Sequence, residues 1–358
     1  MSEENVISNV EDNSPKNEGV VEKVIEIFKN GWNKQVILYG PPGTSKTYSA
    51  TIIAAKLLAG SDRVDTQNPY NSAQELLKNE YKDNYKIVQF HPSYSYEDFV
   101  RGITVKPAKR NNGITYVTES KIFEKFCKQA QGNKKQKYVL IIDEINRAPL
   151  ASVLGELIYG LEYRESSIAT PYAINGKQEF SIPDNLYIIG TMNTADRSIG
   201  SIDYAVRRRF AFVQVKSNGE EIEGSWIDKN VGIKAKKLYD KLMNEEDGIF
   251  SKEYLEDQDM DVNDIKIGHT YFLGRKNEAV EDEKGYLEYR IEYQIKPIYE
   301  EYIKDGITGF LFEAGNSHEL VERVIYFYKL TDEQRNTMRI QAVKTAHQYD
   351  SDEISRML

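Results

Sequence analysis

Eight residues, Gly40-Pro41-Pro42-Gly43-Thr44-Ser45-Lys46-Thr47, fit the phosphate-loop pattern G-x-x-x-x-G-K-[ST] at all but one position. Such a loop works by turning successive backbone N–H groups toward one anion at the start of a helix. Lys46 would neutralise β- and γ-phosphates, and the Thr47 hydroxyl would ligate Mg²⁺. Ser45 stands where the second glycine belongs, and ordinary helix-start dihedrals are expected for it. The competing reading is a Gly/Pro turn with an unrelated Lys-Thr pair. A second chemical pair, Asp143-Glu144, closes the apolar run Tyr138-Val139-Leu140-Ile141-Ile142. Carboxylates at a strand's C-terminal end lie where α/β sheets bind ligands. Asp143 would hold Mg²⁺ through water, and Glu144 would activate an attacking water. Without an upstream phosphate loop, the same pair would read as a helix-capping turn.

These groups need strands that end together. Apolar runs at 36–39, 86–90, 138–142, 186–189 and 210–215 read as five strands, with helical patterns between them. One of these, Leu150 to Glu162, reads as a single helix. A further helix precedes them, with Val21, Val24, Ile25 and Phe28 on one face. The alternation predicts a mostly parallel α/β sheet with helices on both faces. Asn112-Gly113 and Asn175-Gly176, flanked by β-prone residues, read as hairpin insertions. Beyond residue 216 charged helical patterns take over. The resulting division is a lead-in expected to be disordered (1–18), an α/β core (19–215), a helical unit (216–303) and a tail (304–358).

The 358 residues carry 47 Lys+Arg against 56 Asp+Glu, a net charge of −9. That balance argues against gripping nucleic acid or anionic membrane by bulk charge. The single cysteine, Cys127, excludes a disulfide scaffold and cysteine-based zinc clusters, and its neighbours place it on a helix face. None of the four histidines has metal-ligand spacing. No run of about 18 apolar residues suggests a membrane helix. The polar, acidic N-terminus lacks the features of a signal peptide, so the cytoplasm is the expected compartment.

Five motifs in order resemble the AAA+ ATPases, and among them the McrB-type GTPase subunits of modification-dependent restriction systems: GPPGTSKT, FHPSYSYEDFVRG (90–102), IIDEINRA (141–148), GTMNTADRS (190–198) and VRRRF (206–210). IKIGHTYF (265–272) and YRIEYQIKPIYEEY look similar too. The resemblance spans roughly residues 20–305. It implies a P-loop AAA+ core followed by a small helical lid. Asn193 matches the family's sensor 1, which orients the attacking water. The Met192-Asn193-Thr194-Ala195-Asp196 stretch is associated with GTP preference, and the Asp196 carboxylate could accept from guanine's N1–H and N2–H₂. GTP is therefore favoured over ATP as the substrate. Arg207, Arg208 and Arg209 occupy the place of the arginine finger, with the choice among them open. His269 sits where AAA+ lids often carry a sensor 2 arginine, and a packing role is the alternative. Arg147 reads as a subunit contact or a local ion pair.

The resemblance further implies a homo-oligomeric ring, a hexamer as in the family, and an McrC-type nuclease partner. Only about 20 residues precede the module, so DNA contact is expected only indirectly. A nucleotide-binding interaction platform with little hydrolysis is the rival, motivated by Ser45, and an ATP-using remodelling protein is another. From about Lys304 the text resembles the C-terminal end of GT-B glycosyltransferases, but without a matching donor motif no glycosyl transfer is implied. Asn316 with Glu319 and Thr331 with Gln334 read as helix starts. The tail is open as an appendage or a fusion artefact.

Overall fold

The computed structural model describes residues 18–107, 113–194, 202–243, 267–274, 282–300 and scattered positions between 323 and 338. Helix α1 (Glu18–Lys29) leads into β1 (Gln35–Gly40), and α2 (Lys46–Ala59) follows the loop. After α3 (Pro69–Asn79) come β2 (Tyr85–Gln89), the short α4 (Tyr96–Phe99), and the hairpin β3 (Arg101–Pro107) with β4 (Ile114–Ser120). Then follow α5 (Ile122–Gly132), β5 (Tyr138–Asp143), α6 (Leu150–Leu154) and α7 (Leu157–Glu162). A second hairpin, β6 (Ile168–Ile174) and β7 (Lys177–Phe180), precedes β8 (Leu186–Asn193). Helix α8 (Tyr204–Arg207), β9 (Ala211–Gln214) and α9 (Lys229–Met243) complete the labelled elements.

The five anticipated strands form one sheet in the order β2-β5-β8-β1-β9, and every pairing is parallel. Its interior strands are buried on both faces, as their unbroken apolar runs require. On one face, Val21, Val24, Ile25 and Phe28 of α1 join Ile53 and Leu57 of α2 over Val36, Leu38 and Ile141. On the other, Phe123, Phe126 and Cys127 of α5 pack with Leu140, Ile142 and Ile188. Cys127 is fully buried on α5, and burial holds its thiol well above the usual range. A third apolar cluster, from Ile222 and Trp226 to Phe272 and Leu287, holds the helical unit after β9 together.

Two expectations about local structure meet different outcomes. The Asn175-Gly176 turn takes positive φ at both residues, 51° and 77°, and Ile174 pairs with Lys177 across it. This is the two-residue geometry that Asn-Gly favours. The predicted helix from 150 to 162 instead breaks into α6 and α7 at Gly155, which takes φ 49° and ψ −127°. The tail lies largely outside the described residues, Asn316 and Glu319 included. Thr331 and Gln334 do exchange reciprocal bonds, N–H to Oε1 at 2.9 Å and N–H to Oγ1 at 3.2 Å.

Candidate functional site

Sheet register brings the chemical residues to one edge. β1 pairs with β8 so that Gly40 lies beside Asn193. β5 pairs with β8 through Ile142 and Gly190, which sets Asp143 beside Thr191 one step on. The phosphate loop and the carboxylate pair therefore share the C-terminal rim of the sheet, where α/β folds bind ligands.

At that rim Asp143 Oδ1 accepts two hydroxyl bonds, from Thr47 at 2.7 Å and Thr191 at 2.6 Å. Thr191 Oγ1 in turn accepts the backbone N–H of Glu144 at 3.1 Å. Glu144 is left-handed, φ 53° and ψ 46°, a conformation that costs a non-glycine residue about 1–2 kcal/mol and gathers at functional sites. Its Oε1 accepts from Asn193 Nδ2 at 2.5 Å, and Arg147 Nε lies 3.4 Å from Oε2. Arg147 thus makes the local ion pair. Asn146 donates to the carbonyl of Asn193 at 3.1 Å and ties the two strand ends together. Thr191, 2% exposed, is a site residue that the sequence motifs do not single out. Its signal is a hydroxyl at the end of the otherwise apolar run LYIIG, two residues before Asn193.

The loop keeps its shape despite the substituted glycine. Ser45 adopts φ 64° and ψ 31°, which corrects the expectation of ordinary helix-start dihedrals. The backbone keeps the left-handed turn that glycine adopts freely, and serine accepts roughly 1 kcal/mol of strain to make it. Gly43 is also left-handed, and a Cβ there would lie 2.6 Å from the Tyr271 ring. Thr44 Oγ1 donates to the Pro41 carbonyl at 2.9 Å. Lys46, 7% exposed, donates to the carbonyls of Gly40 at 2.9 Å and Pro41 at 2.7 Å. Its ammonium therefore sits within the loop's curve.

His269 opens a 3₁₀ turn, His269–Phe272, and that turn lies against the loop. Gly268 N–H donates to Pro42 O at 2.8 Å, and Thr270 donates to Gly43 O through its N–H at 3.2 Å and its hydroxyl at 2.9 Å. The fully buried imidazole accepts the Asn218 N–H on Nδ1 at 3.0 Å, and Nε2 lies 3.5 Å from Ser45 Oγ. Burial pushes its pKa down to about 4, so the ring is neutral near pH 7.

The three arginines separate by environment. Arg209 pairs with Glu162 at 2.7 Å, with its side chain 9% exposed, and its guanidinium also donates to the Ala205 carbonyl. Arg208 is 3.6 Å from Glu162 and over half exposed, and exposed Arg207 lies over the Phe212 ring. All three precede β9, at the opposite end of the sheet from Gly40. The Arg209 carbonyl accepts from Asn33 and Gln35, at the start of β1. A six-residue strand separates that start from the loop, roughly 17 Å at about 3.3 Å per residue. Asp196 lies outside the described residues.

In FHPSYSYEDFV, Phe90, Tyr96 and Phe99 are buried in the core, and Ser95 and Asp98 form a capping box on α4. Among the described residues no three His, Cys, Asp or Glu side chains converge as a metal site. The Thr47–Asp143 oxygen pair does suit Mg²⁺, a hard ion that takes one or two protein oxygens and completes its shell with water and phosphate. Among the described residues no helix is long and apolar enough to cross a membrane.

Comparison with known proteins agrees with this geometry. Residues 35–210 match the AAA domain family, dynein-related subfamily. Over 278 residues the chain is 34% identical to the Type IV methyl-directed restriction enzyme EcoKMcrB subunit of Escherichia coli, covering 76% of this chain and 54% of that protein. It is 27% identical over 209 residues to the Type II restriction enzyme BsuMI component YdiS of Bacillus subtilis, covering 49% of this chain and 55% of that one. The chain thus spans about half the length of the curated relatives it matches. A crystal structure from Cytophaga hutchinsonii, proposed to be an ATPase, is 14% identical over 63% of this chain and 58% of that one, with a TM-score of 0.34, too low a likeness to argue from.

Proposed function

For a chain that belongs to the AAA+ ATPases, on their McrB-like branch, we propose Mg²⁺-dependent hydrolysis of a nucleoside triphosphate, with GTP preferred to ATP. The observation that carries this reading is the linked cluster at the sheet rim. Thr47, Asp143, Thr191 and Glu144 are joined by three hydrogen bonds, and Asn193 binds the Glu144 carboxylate.

In this reading the N–H groups of Gly40, Pro42's successors and Thr47 cradle the phosphates, and Lys46 leaves the loop carbonyls to neutralise the β- and γ-oxygens. Thr47 and Asp143 would hold Mg²⁺, which offsets phosphate charge when bound. Glu144 takes a proton from the attacking water, and Asn193 fixes the carboxylate's direction. The Thr191 hydroxyl aligns both acids. Water adds to the γ-phosphorus while the bond to the bridging oxygen breaks, yielding the nucleoside diphosphate and phosphate. Ser45 motivates the platform reading, yet its left-handed backbone preserves the loop's shape for binding; the Glu144–Asn193 pair beside that loop is what favours hydrolysis.

The arginines lie a strand's length from their own loop, which supports their acting on a neighbouring copy. Arg207 and Arg208 are the candidates, because Arg209 is committed to Glu162 and Ala205. A ring, a hexamer by family resemblance, follows from this role. The helical unit after β9 serves as the lid, and an McrC-type nuclease is the proposed partner, with DNA reached through it. Cytoplasmic location fits this role. Asp196 is the proposed reader of guanine.

The test measures phosphate release from GTP and from ATP, and then adds an McrC-type subunit. A kcat/KM for GTP more than about tenfold that for ATP, a transition-state difference of about 1.4 kcal/mol, supports the preference. Equal values for both nucleotides overturn it. Loss of the preference in Asp196→Ala assigns that residue.

A further inference from the structure

Ser45 and His269 lie more than two hundred positions apart in the chain, yet they meet beside the phosphate loop with Oγ and Nε2 3.5 Å apart. The imidazole is fully buried, and the Asn218 N–H occupies Nδ1 as acceptor. The ring proton therefore sits on Nε2 and faces the serine hydroxyl. The flanking residues fix this approach, through Gly268 on Pro42 and Thr270 on Gly43. The contact is close: a Cβ at Gly268 would fall 1.8 Å from the Gly43 carbonyl carbon. Opposite the ring, Ser45 holds the left-handed turn, and its carbonyl receives the N–H of Ser49, an early bond of α2, at 2.9 Å. A glycine would hold that turn unaided, whereas serine holds it against strain.

We propose that His269 is a positioning residue that acts through Ser45: its Nε2–H braces the serine hydroxyl and keeps the left-handed turn that aims the loop's N–H groups at phosphate. The position of the helical unit thereby sets the strength of the phosphate grip. By linkage, phosphate binding holds the unit in place to the same degree. This rests on reading the loop as a nucleotide site, and it gives His269 a role other than direct contact with nucleotide.

Two near-isosteric variants separate the ring's two contacts. His269→Asn keeps an acceptor near Nδ1 for the Asn218 N–H but reaches nothing at Ser45. His269→Gln places an amide N–H near Nε2. Binding of fluorescent GTP and ATP analogues is measured for both variants, for Ser45→Gly, and for Ser45→Gly combined with His269→Asn. In parallel, hydrogen exchange over residues 46–52 is followed without nucleotide, because the Ser49 amide reports on residue 45. His269→Asn is expected to weaken binding by about tenfold, the worth of one hydrogen bond, and to speed exchange at Ser49. His269→Gln recovers most of both. In the Ser45→Gly background the His269→Asn penalty shrinks to about twofold or less, as expected of coupled residues.

An undiminished penalty in the glycine background overturns the proposal, since histidine would then act on nucleotide directly or through the fold. No penalty in the serine background overturns it as well. If the wild type binds neither nucleotide, the nucleotide reading fails, and the exchange data alone still decide whether Ser45 and His269 are coupled.

Discussion

Thr191→Val removes one hydroxyl and almost nothing else, so its effect can be worked from the site. The side chain is 2% exposed. Its hydroxyl donates to the Asp143 carboxylate at 2.6 Å and accepts the Glu144 N–H at 3.1 Å. A bond to an ionised partner contributes about 1.5–3 kcal/mol, and a stranded backbone N–H costs about 1–3 kcal/mol. The added methyl returns about 0.8 kcal/mol through burial. Asp143 keeps its bond from Thr47, which lowers the first figure toward its minimum. The net loss is about 2–4 kcal/mol, which lowers Tm by roughly 4–16 °C at about 2–4 °C per kcal/mol for a domain of this size.

Function should suffer separately. The Glu144 N–H is one of the ties on a left-handed residue, and a misplacement of about 1 Å in a reacting group costs about a hundredfold. Phosphate release should therefore fall about ten- to a hundredfold, while nucleotide Kd changes less than about threefold, because the loop itself is untouched. Thr191→Ser keeps the hydroxyl and should stay within about 1.5 kcal/mol of wild type. Calorimetry and steady-state phosphate release check both arms. A valine variant within 1 °C and twofold of wild type, or a serine variant as impaired as valine, would mean that the Thr191 hydroxyl does not hold the two acids.

Three further outcomes follow from neighbouring contacts. Arg209→Ala loses a half-shielded ion pair with Glu162 and should destabilise by about 1–2 kcal/mol in thermal melts, whereas Arg207→Ala and Arg208→Ala leave Tm nearly unchanged. One of the latter two should lower turnover by about a thousandfold and regain activity when mixed with Lys46→Ala subunits; an unchanged rate in both would exclude both as the finger. Arg101, 2% exposed, binds fully buried Glu124 at 2.7 Å and Thr170 at 2.5 Å. Arg101→Met should cost about 3–5 kcal/mol in denaturant titrations, and adding Glu124→Leu should recover much of it. The His269 pKa, lowered by burial from 6.5 to about 4, means the unfolded chain takes up a proton that the folded chain refuses. That contribution is complete above pH 6.5 and is lost as pH falls toward 4, up to about 3 kcal/mol at 1.36 kcal/mol per unit. His269→Gln should flatten the Tm-versus-pH curve in that window, and parallel curves would contradict it.

Much of the sheet is readable because its interior strands are buried on both faces and so are written as continuous apolar runs bounded by polar turns. The phosphate loop and the Asp143-Glu144 pair were readable for a related reason, since each ends such a run. Asn175-Gly176 announced a turn through local backbone preference alone. What escaped depends on contacts between distant segments. The left-handed backbone at Ser45 is imposed by a loop whose far wall is residues 268–271. The break at Gly155 occurs beside the Tyr96 ring, which belongs to another helix. Thr191 looks like an ordinary β-branched strand residue until register sets it against Asp143. Nothing in the sequence marks Arg101 as buried, yet it joins Glu124 to the carbonyls of Tyr172, Lys177 and Glu179 and so links α5 to the second hairpin. The separation of Arg209 from Arg207 and Arg208 likewise required the position of Glu162.

The proposed hydrolysis turns on the Glu144 carboxylate, which Asn193 holds at Oε1 while Thr191 holds the residue's backbone N–H. Its most direct test is steady-state phosphate release from GTP and ATP with Mg²⁺, comparing wild type with Glu144→Gln at matched nucleotide occupancy. Glutamine is expected to retain nucleotide affinity within about threefold while release falls by at least about a hundredfold, the scale of a lost general base. Release from Glu144→Gln at the wild-type rate would contradict it.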